Sequence, residues 1–174
     1  MIVIEAVGEL PPTKAKTIRV FLAGGISNTN NWQKEVIDLL ANRLESPYIK
    51  RALVNKFGND DPERIVIFNP RRENFPIDDP KAAEEQITWE FNKLKTCDIV
   101  SFWFAPETLN PIVLYELGFQ NNGMKSIVVG CHPDYKRKAD VEIQTKLSRP
   151  DVKIVYSLSE LVDRIVGKII TMDV

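Results

Sequence analysis

The sequence predicts an α/β fold: a doubly wound, five-stranded parallel sheet sandwiched by helices. Short apolar runs alternate along the chain with longer segments whose apolar residues recur every three or four positions. The apolar runs are nearly continuous, which is typical of parallel strands that are buried on both faces. Strands that alternate with helices form right-handed βαβ units, and these units build the three-layer sandwich of flavodoxin- and Rossmann-like folds.

The five predicted strands are short, rich in β-branched or aromatic residues, and bounded by turn residues. The run TIRVFLA ends at Gly24-Gly25, and the run IVIF ends at Asn69-Pro70. The third run, DIVSFWF, is apolar almost throughout, as expected of a central strand. In chain order, the predicted strands are residues 17–23, 65–68, 98–104, 126–130 and 152–156.

The five predicted helices have apolar residues at helical spacing and residues that favour helix ends. Asn30 or Asn31 can cap the first helix, and Ser157 or Ser159 can cap the last. Pro111 opens the helix after the third strand, because its fixed φ suits the first helical position. That helix is apolar on nearly every face, which predicts that it is buried. The predicted helices are residues 31–44, 81–94 and 111–122, a segment ending at residue 147, and a final segment containing residues 161–169.

Length and composition favour a soluble globular protein with a single domain at residues 17–174, preceded by an N-terminal extension at residues 1–16. The net charge of −1 gives no global attraction to nucleic acid or to an anionic membrane. No apolar run approaches the roughly 20 residues that span a bilayer. Cys97 and Cys131 form no metal-binding motif and are interpreted as buried, reduced thiols. We therefore expect a cytoplasmic protein.

Ligands of doubly wound folds bind outside the carboxyl ends of the strands, so the segments after the strands are candidate sites. Gly24-Gly25-Ile26-Ser27 follows the first strand, and paired glycines let a ligand approach free backbone amides. A plain tight turn is the alternative interpretation. Arg71-Arg72 follows the second strand, where arginine forks can bind phosphate or carboxylate. A solvated pair of charges is the alternative there.

Two glutamates are candidates for chemistry. Glu116 is the single charge in the predicted helix at residues 111–122, and a buried carboxylate is costly unless it is paired, hydrogen-bonded or protonated. It either pairs with an arginine or projects into a pocket at the carboxyl edge of the sheet. Glu90 shares a helix face with Gln86 and Lys93, beside Trp89. It is either half of an exposed pair with Lys93 or an active-site carboxylate next to an aromatic ring.

Five blocks of sequence, in this order, resemble the nucleoside 2-deoxyribosyltransferase-like family. They are FLAGGIS (21–27), NPRR (69–72), QITWE (86–90), DIVSFWF (98–104) and PIVLYELG (111–118). The resemblance implies that Glu116 is the nucleophile and that Glu90, in place of the usual aspartate, is the acid/base residue that serves the nucleobase. Asn110 stands where the transferases have a sugar-binding aspartate. The candidate substrate contacts are Gly24, Gly25, Ile26, Ser27, Trp32, Arg71, Arg72, Trp89, Asn110 and Tyr115.

The resemblance implies an enzyme that cleaves or transfers the N-glycosidic bond of 2′-deoxynucleosides or their 5′-monophosphates through a covalent deoxyribosyl-glutamate intermediate. It also implies that no metal or other cofactor is needed. The partners it implies are a small-molecule nucleoside or nucleotide and further copies of the chain in a homo-oligomer, for which the aromatic third strand and the last helix are candidate surfaces. The alternative is a module that binds a nucleotide or nucleotide-derived signal without turnover, with Glu116 hydrogen-bonded to a ribose. A purely structural role would leave the buried glutamate and the polar loops without a purpose.

Overall fold

The computed structural model describes residues 1–12, 16–59, 61–76 and 78–173. These residues form a five-stranded parallel sheet, in the order β1-β3-β2-β4-β5, with helices on both faces, and so confirm the predicted fold class. Parts of the expected extension (residues 13–15) and of the expected polar loop (residue 77) lie outside the described residues. The strands are β1 Ile2–Glu5, β2 Ile18–Gly24, β3 Ile65–Asn69, β4 Ile99–Phe104 and β5 Ser126–Cys131; the α-helices are α1 Trp32–Leu44, α2 Pro47–Phe57, α3 Ala82–Thr96, α4 Pro111–Asn121, α5 Lys138–Ser148 and α6 Leu158–Thr171.

The sheet has five strands as predicted, but one of them is not where the sequence analysis placed it. The expectation that residues 1–16 precede the domain is wrong for Ile2–Glu5, which pairs in parallel with β3 at the edge of the sheet. The strand predicted at residues 152–156 is reduced to a single bridge between Val155 and Gly130. The Val152 amide donates to the Arg149 carbonyl at 2.9 Å and the Tyr156 amide donates to Glu160 Oε2 at 3.0 Å, so both ends of the segment are bonded outside the sheet.

Helix α2 is a second element that the sequence analysis missed. Its apolar residues Ile49, Leu53 and Phe57 recur every fourth position. The segment between the first helix and β3 also carries end signals, since Pro47 occupies the first turn and Gly58 ends the helix with a φ of 81°. Proline at the start and a left-handed glycine at the end are the asymmetry expected of a helix.

Helices α1, α2 and α6 cover one face of the sheet, and α3, α4 and α5 cover the other. Strands β2 and β4 lie at the centre, and every residue of β4 is buried. The chain runs from β2 to β3 in one direction and then crosses β2 to reach β4. This reversal of strand order is the switch point at which doubly wound folds bind ligands.

Three smaller expectations can be compared with the structure. Cys97 and Cys131 are both buried and free, as predicted. The first-helix cap is Asn31, whose side chain accepts a hydrogen bond from the Lys34 amide at 3.0 Å, and Ser157 caps the last helix. Among the described residues, no helix combines the length and apolar character needed to cross a membrane.

The prediction that α4 is buried on nearly every face is wrong. Val113 and Leu117 pack onto the sheet, but Ile112, Tyr115 and Phe119 are 66–75% exposed. The helix lies in an outer layer of the sandwich, so only the side turned to the sheet is covered. Its opposite side is apolar and open to solvent.

Candidate active site

The candidate site lies at the carboxyl edge of the sheet, where the central strands β2 and β4 end side by side. Gly24 pairs with Trp103 there, and the chain then turns into α1. A Cβ atom on Gly24 would overlap the Trp32 ring and the Trp103 carbonyl, and one on Gly25 would overlap the Asn110 side chain. The two glycines therefore allow the loops that follow β2 and β4 to touch.

The turn after β2 is organised around the carbonyl oxygen of Gly25. Three groups donate to this oxygen: the Thr29 hydroxyl at 2.9 Å, the Trp32 indole at 3.0 Å and the Gln33 amide at 3.3 Å. Trp32 and Gln33 are buried, so their hydrogen bonds fix the turn to the core of the protein. Ile26 and Ser27, which were predicted to meet substrate, lie at the half-buried and exposed tip of the turn.

Arg71 is built into this turn. Its Nε donates to Gln33 Oε1 at 2.9 Å, and its Nη2 donates to Thr29 Oγ1 at 2.9 Å and to the Asn30 carbonyl at 3.1 Å. Burial lowers the pKa of the Arg71 guanidinium from its ordinary value. Much of the Arg71 guanidinium, which was predicted to bind a ligand, thus makes hydrogen bonds within the protein. These bonds connect the loop after β3 to the loop after β2.

Arg72 has the freer guanidinium of the two. It lies over the Phe75 ring, 5.5 Å from the ring centroid. Among the described residues, no acceptor bonds its buried Nη1 atom. A buried donor without an acceptor is costly, and an anionic ligand group would supply one.

Glu90 is a half-buried residue of α3 that lies near enough to Glu116 of α4 for the charges of the two carboxylates to interact, and we call the space between these two side chains the cleft. Its Oε1 accepts a 2.6 Å hydrogen bond from Gln86 Nε2, which also donates to the Pro70 carbonyl at 2.7 Å. Burial raises the pKa of Glu90, and the bond from Gln86 opposes the rise. The alternative pairing with Lys93 is not what the structure shows, because the Lys93 ammonium lies over the Phe68 ring, 5.2 Å from its centroid.

Glu116 lies in the second turn of α4, across the cleft from Glu90. Burial, together with the nearby Glu90 carboxylate, raises the pKa of Glu116 to about 8. Within the part of the chain that the structure describes, no arginine or lysine pairs with Glu116. The interpretation of Glu116 as half of a buried salt bridge is therefore wrong, and the cleft brings together two carboxyl groups that compete for protons.

Asn110 connects the two loops at the N-terminus of α4. Its backbone is left-handed, with φ 47° and ψ 55°, a conformation that asparagine tolerates better than most residues. Its Oδ1 accepts a 2.5 Å hydrogen bond from the Thr108 hydroxyl, and its Nδ2 donates to the Thr108 carbonyl at 3.3 Å. The side chain is buried against Gly25, and its amide is held in one orientation by the two hydrogen bonds with Thr108.

Two predicted contacts point away from this cleft. Trp89 is a core residue: its indole donates to the Gly8 carbonyl at 2.8 Å, and its ring packs edge-on against Phe68. Tyr115 is 75% exposed on the outer side of α4. The structure thus brings Gly25 against Asn110 and Glu90 near Glu116, but it does not place these two aromatic residues with them.

Sequence reasoning left Gln86, Thr29 and Gln33 out of the candidate site. The sequence could have identified Gln86, because it precedes Glu90 by four positions and side chains at that spacing on a helix are neighbours. Thr29 and Gln33 had none, since their partner Arg71 is about 40 residues away and only the fold brings them together.

No cluster of histidine, cysteine, aspartate and glutamate among the described residues could hold a metal ion. A groove of about 820 Å³ lies elsewhere, between the segment after β1 and the outer side of α3. Val7, Leu10 and Lys93 contribute to its walls, and neither Glu90 nor Glu116 does. The groove is therefore separate from the two carboxyl groups whose pKa values are raised.

Comparison with known proteins adds two similarities. Residues 17–135 match the family model described as nucleoside 2-deoxyribosyltransferase like. A conserved protein from Enterococcus faecalis V583, known from a crystal structure, is similar with a TM-score of 0.50 at 14% identity, over 87% of this chain and 99% of that one. At that identity the likeness shows the fold alone. No curated protein matches the sequence.

Proposed function

Because the chain belongs to the nucleoside 2-deoxyribosyltransferase-like family, we propose that it cleaves or transfers the N-glycosidic bond of 2′-deoxynucleosides or their 5′-monophosphates. The observation that carries the proposal is the pair Glu116 and Glu90. Both have raised pKa values, and they interact across a cleft at the carboxyl edge of the sheet. Two carboxyl groups with different protonation are what cleavage of a glycosidic bond needs.

In the proposed reaction, the Glu116 carboxylate attacks C1′ of the deoxyribose while the bond from C1′ to the base nitrogen breaks. Glu90 donates its proton to the departing base, so the base leaves neutral. The product is an ester between Glu116 and the deoxyribosyl group. A second base or a water molecule then attacks C1′ and releases the Glu116 carboxylate, while Glu90 takes a proton back from the attacking group.

The raised pKa values define which proton state is reactive. Two nearby carboxyls titrate as a pair, so between their two apparent pKa values they share one proton. The reactive arrangement places that proton on Glu90 and the negative charge on Glu116. This reactive arrangement makes up a constant fraction of the molecules in which the pair holds one proton. The rate should therefore fall above about pH 8, where the pair loses that proton.

Arg72 supports a 5′-monophosphate as the preferred substrate. Its Nη1 has no acceptor among the described residues, whereas Arg71 is committed to Gln33 and Thr29. A phosphate could accept from Arg72 in the bidentate manner that guanidinium favours. We therefore expect Arg72→Gln to raise KM for the monophosphate and to leave KM for the nucleoside unchanged.

The test is to incubate the protein with each 2′-deoxynucleoside and its 5′-monophosphate, with and without a second free base, and to separate the products chromatographically. Free base without an added base indicates hydrolysis, and a new nucleoside in its presence indicates transfer. The Glu116→Gln variant is the control for contaminating enzymes. Absence of both products across the panel, or equal rates in this variant, would overturn the proposal.

One observation favours a second candidate, a binding module without turnover. With a pKa of about 8, Glu116 is protonated in the free protein at neutral pH, and a neutral carboxyl group can donate a hydrogen bond to a ribose hydroxyl. Calorimetry with a panel of nucleotides separates the two functions. Tight binding of a ligand that is recovered chemically unchanged would favour the module.

A further inference from the structure

The side chain of Gln86 is a part of the candidate site that the proposed reaction does not use. Its Nε2 atom donates to Glu90 Oε1 at 2.6 Å and to the Pro70 carbonyl at 2.7 Å. A side-chain amide nitrogen carries two hydrogens, so these two bonds occupy both of them. The bonds also settle which end of the amide is the nitrogen, because an oxygen in its place would meet the Pro70 carbonyl oxygen with no hydrogen between them.

The oxygen of the same amide is buried and lacks a hydrogen bond. No group among the described residues donates to Gln86 Oε1. Since the two ends of an amide share one carbon atom, this oxygen lies within about 5 Å of Glu90 Oε1. A buried acceptor without a donor is costly, so an N–H group of a ligand that bonds to Gln86 Oε1 would be stabilised there.

The hydrogen bond from Gln86 also determines which oxygen of Glu90 carries a proton. Glu90 Oε1 accepts the hydrogen of Gln86 Nε2, so a proton on this carboxyl group is favoured on Oε2. Gln86 and protonated Glu90 therefore offer one free acceptor, Gln86 Oε1, and one free donor, the Glu90 Oε2 hydroxyl. A nucleobase that bonds to both must carry a donor next to an acceptor.

We propose that Gln86 and Glu90 select nucleobases in which an unprotonated ring nitrogen lies next to an exocyclic amino group. Adenine has N7 beside the amino group on C6, and cytosine has N3 beside the amino group on C4. The amino group donates to Gln86 Oε1, and the ring nitrogen takes the proton from Glu90 Oε2. The electron pair of the bond to C1′ passes to N9 of adenine or to N1 of cytosine, so either base leaves neutral. The transfer of this proton rests on the proposed function, whereas the recognition of the amino group does not.

Bases that carry an oxygen in place of the amino group present the wrong group to Gln86. Hypoxanthine and guanine have an oxygen on C6 beside N7, and this oxygen would face Gln86 Oε1 with no hydrogen between the two acceptors. Uracil and thymine have an oxygen on C4 and a hydrogen on N3, so neither group matches. Rotation of the Gln86 amide would not help, because it would break the bonds to Glu90 and Pro70. A site whose buried polar groups are left unpaired discriminates strongly against such a substrate.

The test compares substrates that differ only in this group: 2′-deoxyadenosine with 2′-deoxyinosine, and 2′-deoxycytidine with 2′-deoxyuridine, each also as the 5′-monophosphate. In each pair that the protein cleaves, kcat/KM for the amino substrate should exceed that for the oxo substrate by at least about 10-fold. Equal values, or a higher value for the oxo substrate, would overturn the proposal.

The Gln86→Met variant assigns the preference to Gln86. The variant keeps the length of the side chain and removes the acceptor, so the preference should shrink by at least about 5-fold even where both rates fall. The ratio has to be compared between variants, because the strength of the glycosidic bond itself differs from base to base. Arg72→Gln is the control: it should weaken binding of a phosphate and leave the preference between bases unchanged. An unchanged preference in Gln86→Met would also overturn the proposal.

Binding measurements separate this proposal from the proposed function. Glu116→Gln lacks the nucleophile and leaves a bound substrate intact, so calorimetry can compare the dissociation constants of the same pairs of 5′-monophosphates. If the unmodified protein releases no base from any substrate, the proposed function is wrong. At least about 10-fold tighter binding of the amino nucleotides would still support recognition by Gln86, whereas equal affinities or no binding would overturn it. Far-UV circular dichroism shows whether Gln86→Met folds; if it does not, Gln86→Leu replaces it.

Discussion

Replacing Glu116 with glutamine should make the stability of the protein less dependent on pH. Burial and the neighbouring Glu90 raise the pKa of Glu116 from 4.5 to about 8. The folded protein therefore holds a proton that the unfolded chain releases near pH 4.5, so the free energy of unfolding falls as the pH rises from about 4.5 to about 8. Glutamine has a similar shape and no ionisable proton, so this contribution disappears in the variant.

The size of the effect follows from the displaced pKa. Each pKa unit corresponds to about 1.4 kcal/mol, so the rise of the Glu116 pKa corresponds to at most about 5 kcal/mol. Water at the open side of the cleft screens the charge, and we expect about 2 to 3 kcal/mol to be measured.

The assay is urea unfolding of the unmodified protein and of Glu116→Gln at about pH 5.5 and about pH 9. Because part of the 2 to 3 kcal/mol is already lost below about pH 5.5, the unmodified protein should lose about 1 to 2 kcal/mol more between these pH values than the variant does. Glu84→Gln, at an exposed position on α3, is the control and should behave like the unmodified protein. If the unmodified protein and Glu116→Gln lose the same free energy over this range, the burial argument is refuted.

Variants at three further positions test other parts of the account. Glu90→Gln should lower kcat by about 100-fold or more and should remove the fall in rate above about pH 8. Steady-state rates measured across this pH range would show both effects. An unchanged dependence of the rate on pH would mean that another group is the acid. Arg71→Met should lower the free energy of unfolding by about 1–3 kcal/mol, because the hydrogen bonds from Arg71 to the turn are lost. In thermal unfolding, Arg71→Lys should recover little of the lost stability, because lysine lacks the guanidinium fork. Equal stability of Arg71→Lys and the unmodified protein would contradict this role. Gly25→Ala should destabilise the protein and reduce turnover together, because the added methyl overlaps Asn110; full stability in a melting experiment would show that the loops do not meet as described.

The fold was predictable because its signals are local. The continuous apolar runs of β2, β3, β4 and β5 and the spacing of the helices follow from short stretches of sequence, and the structure confirms them. The edges of the sheet were not predictable from such patterns. Ile2–Glu5 pairs with β3 at one edge, and at the other edge only Val155 of the segment at residues 152–156 bridges to β5. Tertiary contacts decide how far each edge of the sheet extends.

The two carboxylates of the candidate site were predictable from the sequence, whereas the contacts of several residues around them were not. Glu116 was identified because a single charge in an apolar helix is costly to bury without a partner. Its position in the helix after β4 predicted that it lies at the carboxyl edge of the sheet. Arg71 could not be assigned correctly, because only the fold brings its partners in the turn after β2 within reach. The exposure of Tyr115 was missed for a related reason: an apolar helix that packs on one side only has the same composition as a buried one.

The most direct test of the central claim, that Glu116 is a nucleophile, is to trap the covalent intermediate. A 2′-fluoro analogue of the deoxynucleoside or its monophosphate destabilises the oxocarbenium-like transition state and, with a good leaving base, slows breakdown of the ester more than its formation. Peptide mapping by mass spectrometry should then find the fluorinated sugar on the peptide that contains Glu116, and no adduct in Glu116→Gln. Release of the base with the sugar attached to another residue, or with no adduct at any time point, would contradict the account.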